Sequence, residues 1–273
     1  MDEKLVNNHY GISGILDSII KALETSGKNL YSLHPNDLAP VDEFHTRGKE
    51  STMEIANFAQ LQSHHNVLDV GCGLGGSARY IANEYGCSVT GIDLTDEYVD
   101  VANRLTEFVK LQDKVSFRQG SAIDLPFDSG IFDVVWTEHT QMNISDKEKF
   151  YGELSRVLKP GGRLVFHDIF GTEISPYYPT PWAEYGELSF LLTQDEAKTI
   201  MEKSNLTIDK WIDTTKQSLQ FFHEMLQKAT NSDTVPLGLH LLMGKTAKTK
   251  FLNQVRNLEE NRISIAQGTA LKN

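Results

Sequence analysis

Cysteine is scarce. Among 273 residues only Cys72 and Cys87 are cysteines, too few for a disulfide framework and no match for a four-ligand zinc site. The pair His64-His65 has no third ligand at metal spacing, so no metal is expected. Basic runs are missing too. Lys and Arg total 26 against 37 Asp and Glu, a net charge of −11. That balance argues against a nucleic-acid backbone as partner, because phosphate recognition needs clustered Lys and Arg. It leaves cationic or neutral small partners open. No apolar run approaches the ~18 residues that a membrane span needs. The opening Met1-Asp2-Glu3-Lys4 lacks the basic-then-apolar order of a signal peptide. No repeat or low-complexity tract stands out. The expectation is a soluble, cytoplasmic chain with no membrane partner. With 40% hydrophobic and 23% charged residues it can bury a sizeable core.

What is there is a rhythm. Residues 12–24 place Ile12, Ile15, Leu16, Ile19, Ile20 and Leu23 on one helical face. Residues 25–47, rich in Ser, Asn, His, Pro and Asp, read as loop, and 48–61 as helix. Strand and helix then alternate: strands over 66–70, 88–93, 115–119, 132–137 and 163–170, helices over 77–85, 97–110 and 147–158. Such alternation predicts a parallel sheet with right-handed crossovers and helices on both faces. Beyond Gly171 the rhythm breaks into an aromatic stretch, a helix over 193–204, a strand over 206–213, helices over 216–230 and 241–260, and a last strand over 262–271. No linker separates the halves, so 1–273 reads as one domain. It comprises a helical cover over 1–62, a ligand-binding core over 63–170, and an acceptor-side insertion with sheet completion over 171–273.

Val67-Leu68-Asp69-Val70-Gly71-Cys72-Gly73-Leu74-Gly75-Gly76 is the most informative segment. An apolar run enters glycines that enter a helix, so a ligand can approach the backbone and meet free N–H groups. Asp93 ends the next strand 22 residues after Gly71, the spacing at which a carboxylate accepts from ribose hydroxyls. The glycines fit G-x-G-x-x-G (Gly71, Gly73, Gly76) and G-x-G-x-G (Gly71, Gly73, Gly75). Asp69 separates the two: it would repel a pyrophosphate but bind an amino-acid ammonium. An adenosine at one end and an amino acid at the other describe S-adenosylmethionine (SAM).

The segment resembles motif I of the class I SAM-dependent methyltransferases. Four further stretches agree in order: G-I-D-L at 91–94, G-S-A-I-D-L-P-F at 120–127, F-D-V-V-W at 132–136 and R-V-L-K-P-G-G-R-L at 156–164. The last turn and the L-P-F segment are similar to those of small-molecule members, among them the ubiquinone/menaquinone, sterol/tocopherol, sarcosine/dimethylglycine and phosphoethanolamine enzymes. The resemblance implies a Rossmann-like, seven-stranded, mostly parallel sheet with an N-terminal helical lid and C-terminal helical insertions. It implies SAM as cofactor and S-adenosylhomocysteine as product. Asp69 would bind the methionine ammonium, with Gly71 and Gly73 beneath that portion. Asp93 would hold the ribose, Leu94 would lie beside the adenine, and Ser121 and Ala122 would meet its edge. Many relatives carry Asp where Ser121 stands. Phe44 and His45, in a segment resembling the lid of the amine methyltransferases, would touch the cofactor, and Glu138 joins the cofactor-binding residues.

The acceptor's chemistry is less legible. In the phosphoethanolamine enzymes the loop after the fourth strand carries an Asp and, four residues on, a catalytic His; the matching residues here are His139 and Asn143. Asn cannot act as a base, so the proton acceptor is His139, a lid residue, or nobody, since a tertiary amine needs none. Tyr177, Tyr178, Trp182, Tyr185 and Phe190 offer ring faces to a cation, with Glu184 and Glu187 adding charge, or else pack an insertion onto the sheet edge. N-methylation of an amine is placed ahead of C- or O-methylation of a quinol, phenol or sterol-like acceptor. An NAD-dependent oxidoreductase and a non-catalytic SAM-binding module are the competing readings. Oligomeric state is not readable.

Overall fold

The computed structural model describes residues 2–11, 13–229 and 237–273. Strands β1 (Asn66–Val70), β2 (Ser88–Asp93), β3 (Val115–Gln119), β4 (Phe132–Glu138), β5 (Leu158–Gly171), β6 (Leu206–Asp213) and β7 (Ile263–Lys272) form one sheet in the order β3-β2-β1-β4-β5-β7-β6. β1 to β5 are parallel; β7 runs antiparallel to both β5 and β6. The chain reverses its strand order at β1, and the β1–β4 neighbourhood is where such sheets open a crevice beyond their carboxyl ends.

Alternation along each strand assigns the two faces. Val67, Val89, Val134, Trp136 and Val165 pack with Ile55, Ala59, Ile81 and Ala102, residues of α4 (Lys49–Ala59), α5 (Gly76–Tyr85) and α6 (Asp96–Phe108). Leu68, Val70, Val135, Leu164 and Phe166 pack on the other face with Phe150, Leu154 and Met201, from α7 (Lys147–Val157) and α8 (Gln194–Lys203). Asp69, Glu138 and His167 keep step with Val67, Trp136 and Val165 and therefore emerge at the carboxyl ends on the α4–α5 face.

The expected helix over 12–24 is observed as α2 (Ile15–Thr25), with residue 12 outside the described residues. The stretch expected as loop, 25–47, contains a helix, α3 (Pro35–Asp42). Proline occupies its first turn, His34 and Asp37 form a capping box, and Leu38 and Val41 are buried. Local capping and two apolar anchors thus override a composition that favours turns. α1 (Asp2–Tyr10) lies ahead of both. Toward the carboxyl end, the helix expected over 216–230 is α9 (Thr215–Ala229), residue 230 being outside the described residues. The helix expected over 241–260 is broken into α10 (His240–Met243), a short turn and α11 (Ala247–Glu259) at Gly244, whose φ is +67°. Among the described residues, no helix is long and apolar enough to cross a membrane.

Candidate functional site

One cavity of about 1170 Å³ opens beyond the carboxyl ends of β1, β2 and β4. All twelve residues singled out from the sequence line it: Phe44, His45, Asp69, Gly71, Gly73, Asp93, Leu94, Ser121, Ala122, Glu138, His139 and Asn143. Residues 99 positions apart in the chain, Phe44 and Asn143, thus meet because the segment before β1 folds back over the sheet. At this size the cavity exceeds the ~300–1,000 Å³ typical of a single small-ligand site.

The glycine loop is shaped by close approach. Gly71 has φ +75°, and a Cβ there would stand 2.2 Å from Thr140 Oγ1. Gly73 has φ +52° and nothing within 4 Å of its missing Cβ, so a side chain at this position would occupy cavity space. Gly75 also lies in the left-handed region, and Gly76 is fixed by close packing, since a Cβ there would stand 2.6 Å from Asp42 Cβ, so both glycine spacings are structurally required. The loop is buttressed from beneath by Arg79, fully buried, whose guanidinium donates to Leu74 O and Asp42 Oδ1 (both 2.6 Å) and to Thr106 Oγ1 (3.0 Å). Arg79 and Asp42 therefore clamp the end of α3 onto the loop, an arrangement whose loss would strand a buried charge.

Around this loop lies an excess of buried carboxylates. Asp93 accepts from the N–H groups of Gly73 and Thr95, both at 2.9 Å, so one carboxylate fixes both the glycine loop and the start of α6. Asp69 is 2% exposed. It accepts from the Ala78 N–H, but its Oδ2 has no partner. Burial, and then the charges of Glu138, Asp93 and Glu43, hold its carboxyl well above the usual carboxylate range. Burial likewise raises Asp93, and pushes Glu43 up to about 7 against the favourable pull of His45. A buried charge without a partner is costly, so this end of the cavity demands a cationic hydrogen-bond donor.

The lid supplies part of the wall. His45 Nε2 lies 3.2 Å from Glu138 Oε1, 3.3 Å from Glu43 Oε2 and 3.0 Å from Thr52 Oγ1. Glu138 Oε2 accepts from Ser77 Oγ and, at 2.8 Å, from Trp136 Nε1. Every oxygen of Glu138 is thus engaged by protein. Ser121 Oγ donates to Glu3 of α1 and accepts from the Ile123 N–H. Phe44 meets Tyr10 edge-on at 6.4 Å between ring centroids.

His139 adopts φ +48°, a conformation that non-glycine residues rarely take. Its N–H donates to His167 O at 2.9 Å, and its Nε2 accepts from the Thr46 N–H of the lid at 3.5 Å. That acceptor role places the ring proton on Nδ1. Burial, reinforced by His45, holds the imidazole well below its ordinary value, so it is neutral at pH 7. His167, fully buried, with no hydrogen bond at either ring nitrogen and Nδ1 3.9 Å from Glu138 Oε1, stands 4.9 Å from it between ring centroids. Asn143 is engaged at both amide atoms: Oδ1 accepts from Tyr10 OH (2.9 Å), and Nδ2 donates to Trp182 O (2.8 Å) and Leu188 O (3.0 Å). The loop carrying both residues is held from below by Asp168, which accepts from the Gln141 and Ile169 N–H groups at 3.2 and 3.0 Å, and by Lys147, which donates to Gln141 Oε1 at 2.7 Å.

The aromatic stretch does not form a cage. Tyr177 is sandwiched by Arg256 and Arg262, 3.8 and 3.9 Å from its centroid, so protein cations already hold its faces. Tyr185 is 67% exposed, and Glu184 pairs with Lys250 at 3.5 Å. Of this stretch Pro181 and Trp182 reach the cavity. Residues that sequence reasoning missed are Tyr10, Tyr98 and Gln254. All three line the cavity, and the Tyr98 hydroxyl and Gln254 Oε1 have no partner. Isolated in their helices, they carry no sequence signal.

Known proteins match this architecture. Residues 68–166 fit the family model described as a methyltransferase domain. The chain is 44% identical over 99 residues to the chloroplastic tocopherol O-methyltransferase of Arabidopsis thaliana, covering 36% of this chain and 28% of that one. It is 30% identical over 148 residues to the sarcosine/dimethylglycine N-methyltransferase of Halorhodospira halochloris, covering 54% and 52%. The matched stretch thus spans from about a quarter to a half of these curated relatives. The geranyl diphosphate C-methyltransferase of Streptomyces coelicolor A3(2), in complex with Mg2+, geranyl diphosphate and S-adenosylhomocysteine, superposes over 100% of this chain and 98% of its own, with TM-score 0.72 and 19% identity. The three names span oxygen, nitrogen and carbon acceptors.

Proposed function

We propose that this chain, whose residues 68–166 fit the methyltransferase-domain model, is a class I SAM-dependent enzyme that transfers a methyl group from SAM to the nitrogen of a small-molecule amine. The observation that carries the reading is the unpartnered, buried Oδ2 of Asp69 at the wall of a cavity otherwise rich in carboxylates. A cationic ligand with an ammonium donor supplies what that oxygen lacks. Asp93, beside it, lines the cavity at the end of β2 while accepting from the Gly73, Thr95 and Leu94 N–H groups and the Thr95 side chain, a carboxylate placed to meet a ligand hydroxyl. The open space over Gly73 suits close approach of the ligand to the backbone. Residues 1–62 act as cover, 63–170 as the cofactor half and 171–273 as the acceptor half of one domain.

When bound, SAM supplies an electrophilic methyl on a sulfonium whose charge disappears as the methyl leaves. The chain's task is then placement and exclusion of water. The acceptor's lone pair becomes the new bond to carbon, and the carbon–sulfur pair stays on sulfur. A secondary amine then loses its proton to neutral His139 or to water. An amine is favoured because its lone pair attacks without prior deprotonation, whereas a phenol would need a competent base. His139, neutral and already accepting from Thr46, is a weak one. Asn143 serves as a positioning residue, tying α1 and the 180s loop to the loop after β4.

The test is calorimetric titration of the purified chain with SAM and with NAD, followed by a screen of amines, phenols and quinols read by S-adenosylhomocysteine release. Binding of SAM with turnover of an amine supports the proposal. Binding of NAD alone would restore the oxidoreductase reading, and SAM binding without turnover of any acceptor class would favour a regulatory module.

A further inference from the structure

The cavity is divided by chemistry. Its lining carboxylates, Glu3, Asp42, Glu43, Glu50, Asp69, Asp93 and Glu138, all precede residue 139 in the chain. From Met142 onward, among the described residues, the lining holds one Lys or Arg and no Asp or Glu; that residue, Lys248, is exposed. Much of the rest of this end is apolar: Met142, Ile169, Trp182, Phe222 and Phe251 belong to a cluster packed between the ends of β5 and helices α9 and α11, and Leu237 and Leu242 to a second cluster; His240, which also lines it, is exposed. A substrate carboxylate placed there would lose its hydration and gain no buried cation, a large cost. Arg47 cannot help, because Glu50 and Glu54 already occupy its guanidinium, and Lys49 donates to Asn36.

Of the polar residues at this end, Asn143, Ser145, His240, Lys248 and Gln254, one is both buried and left with an unmatched oxygen. Gln254 on α11 is 2% exposed, lines the cavity, and has no partner for its Oε1. A buried amide oxygen with no donor is rare in a native structure and asks for a ligand that supplies one. The volume agrees: about 1170 Å³ exceeds one ordinary small-ligand site and leaves room for a second molecule beside the cofactor.

We infer that the methyl acceptor is an uncharged molecule with a sizeable apolar body, bearing one hydroxyl or N–H group that Gln254 recognises, and is not a small zwitterionic amine such as sarcosine. The inference rests on the methyl-transfer reading and refines its acceptor. Gln254 is a specificity-determining residue in this account. The cluster of apolar side chains selects for the body of the acceptor, and the amide oxygen selects for its polar group. A site built to hydrogen-bond a donor discriminates against an analogue lacking it, because the protein group is then left unpaired.

The experiment uses the full chain and three probes: N-methylaniline carrying a para-butyl chain, the same compound with a terminal hydroxyl on that chain, and sarcosine. Turnover is read by S-adenosylhomocysteine release, and acceptor binding is read by calorimetry on the chain saturated with S-adenosylhomocysteine. The expected order of kcat/KM is hydroxyl-bearing, then plain alkyl, then sarcosine, with roughly tenfold between the first two. Gln254→Leu should erase the hydroxyl preference through KM, lowering kcat/KM of the hydroxyl-bearing compound roughly tenfold, with calorimetric SAM binding reporting that the variant is folded. Gln254→Met serves if the leucine variant does not fold. Preferential turnover of sarcosine, absence of binding by both anilines, or a hydroxyl preference that survives at Gln254→Leu would each overturn the inference. Failure of SAM itself to bind would instead overturn the methyl-transfer reading, so the two failures are distinguishable.

Discussion

Replacing Asp69 with Asn should make the empty protein more stable and the cofactor bind more weakly. The carboxylate is 2% exposed, keeps one backbone donor and leaves Oδ2 bare. Its folded-state pKa is raised by burial and by Glu138, Asp93 and Glu43. The sign follows from linkage. A carboxyl that holds its proton more tightly when folded costs stability once ionised, and that cost vanishes below the unfolded value near ~3.9. Asn retains an oxygen for the Ala78 N–H without the charge, so the variant's advantage should appear at pH 7 and fade toward pH 4. Binding goes the other way. One charge-assisted hydrogen bond to an ammonium is worth ~1.5–3 kcal/mol, so SAM affinity should fall by roughly ten- to a hundred-fold. Thermal melts with and without SAM, together with calorimetry, measure both effects on one sample. Unchanged SAM affinity in a folded Asp69→Asn variant, or a melting temperature that drops without ligand, would refute the reasoning.

Other substitutions separate the remaining roles. Asp93→Ala should weaken SAM roughly ten- to a hundred-fold by calorimetry, and should also lower the melting temperature, because Gly73 and Thr95 lose their shared acceptor. Glu43→Gln removes a carboxyl raised from 4.5 to about 7. At about 1.4 kcal/mol per pH unit it should stabilise the chain by up to ~3 kcal/mol above pH 7 and by little below pH 4.5, read from melts across that range. His139→Ala keeps the strained left-handed backbone and should melt lower than His139→Gly by ~1 kcal/mol. If His139 takes the acceptor's proton, both variants should lose the acid limb of the pH–rate profile measured with a secondary amine.

The sheet was legible because its strands are short apolar runs bounded by turn residues, and β2, β3 and β6 begin and end where the sequence places them. That the glycine loop, Asp69 and Asp93 share one cavity was legible for a local reason: they lie in a contiguous turn and at the end of the next strand. The helical cover was harder. α3 is hidden in a run of His, Pro, Asn and Asp, and is made helical by a cap and two buried anchors. The lid's contacts were invisible because they join distant residues, Tyr10 to Asn143 and His45 to Glu138. The same blindness left Tyr177 open between holding a ligand cation and packing the insertion, because Arg256 and Arg262, whose guanidinium groups lie 3.8 and 3.9 Å from its ring centroid, come from far along the chain.

The carboxylates explain one another. Asp69 is raised in part by Glu138, Asp93 and Glu43, and Glu43 in part by Glu138 and Asp42, while His45 is the shared partner of Glu43 and Glu138. The site is therefore a repulsive set held together by the fold around it, a strain that a cationic ligand relieves and that natural proteins retain at functional sites. If that is so, neutralising one member must ease the others. Asp69→Asn and Glu43→Gln should each stabilise the empty protein at pH 8, but the double variant should gain less than the two gains added together, since each change removes part of the repulsion felt by the other. Both single variants should also shrink the stabilisation that SAM confers, Asp69→Asn by more, because it removes the oxygen that lacks a partner. Strict additivity in the double variant would mean that the two carboxyls do not sense one another, and the shared-charge account of the site would fall.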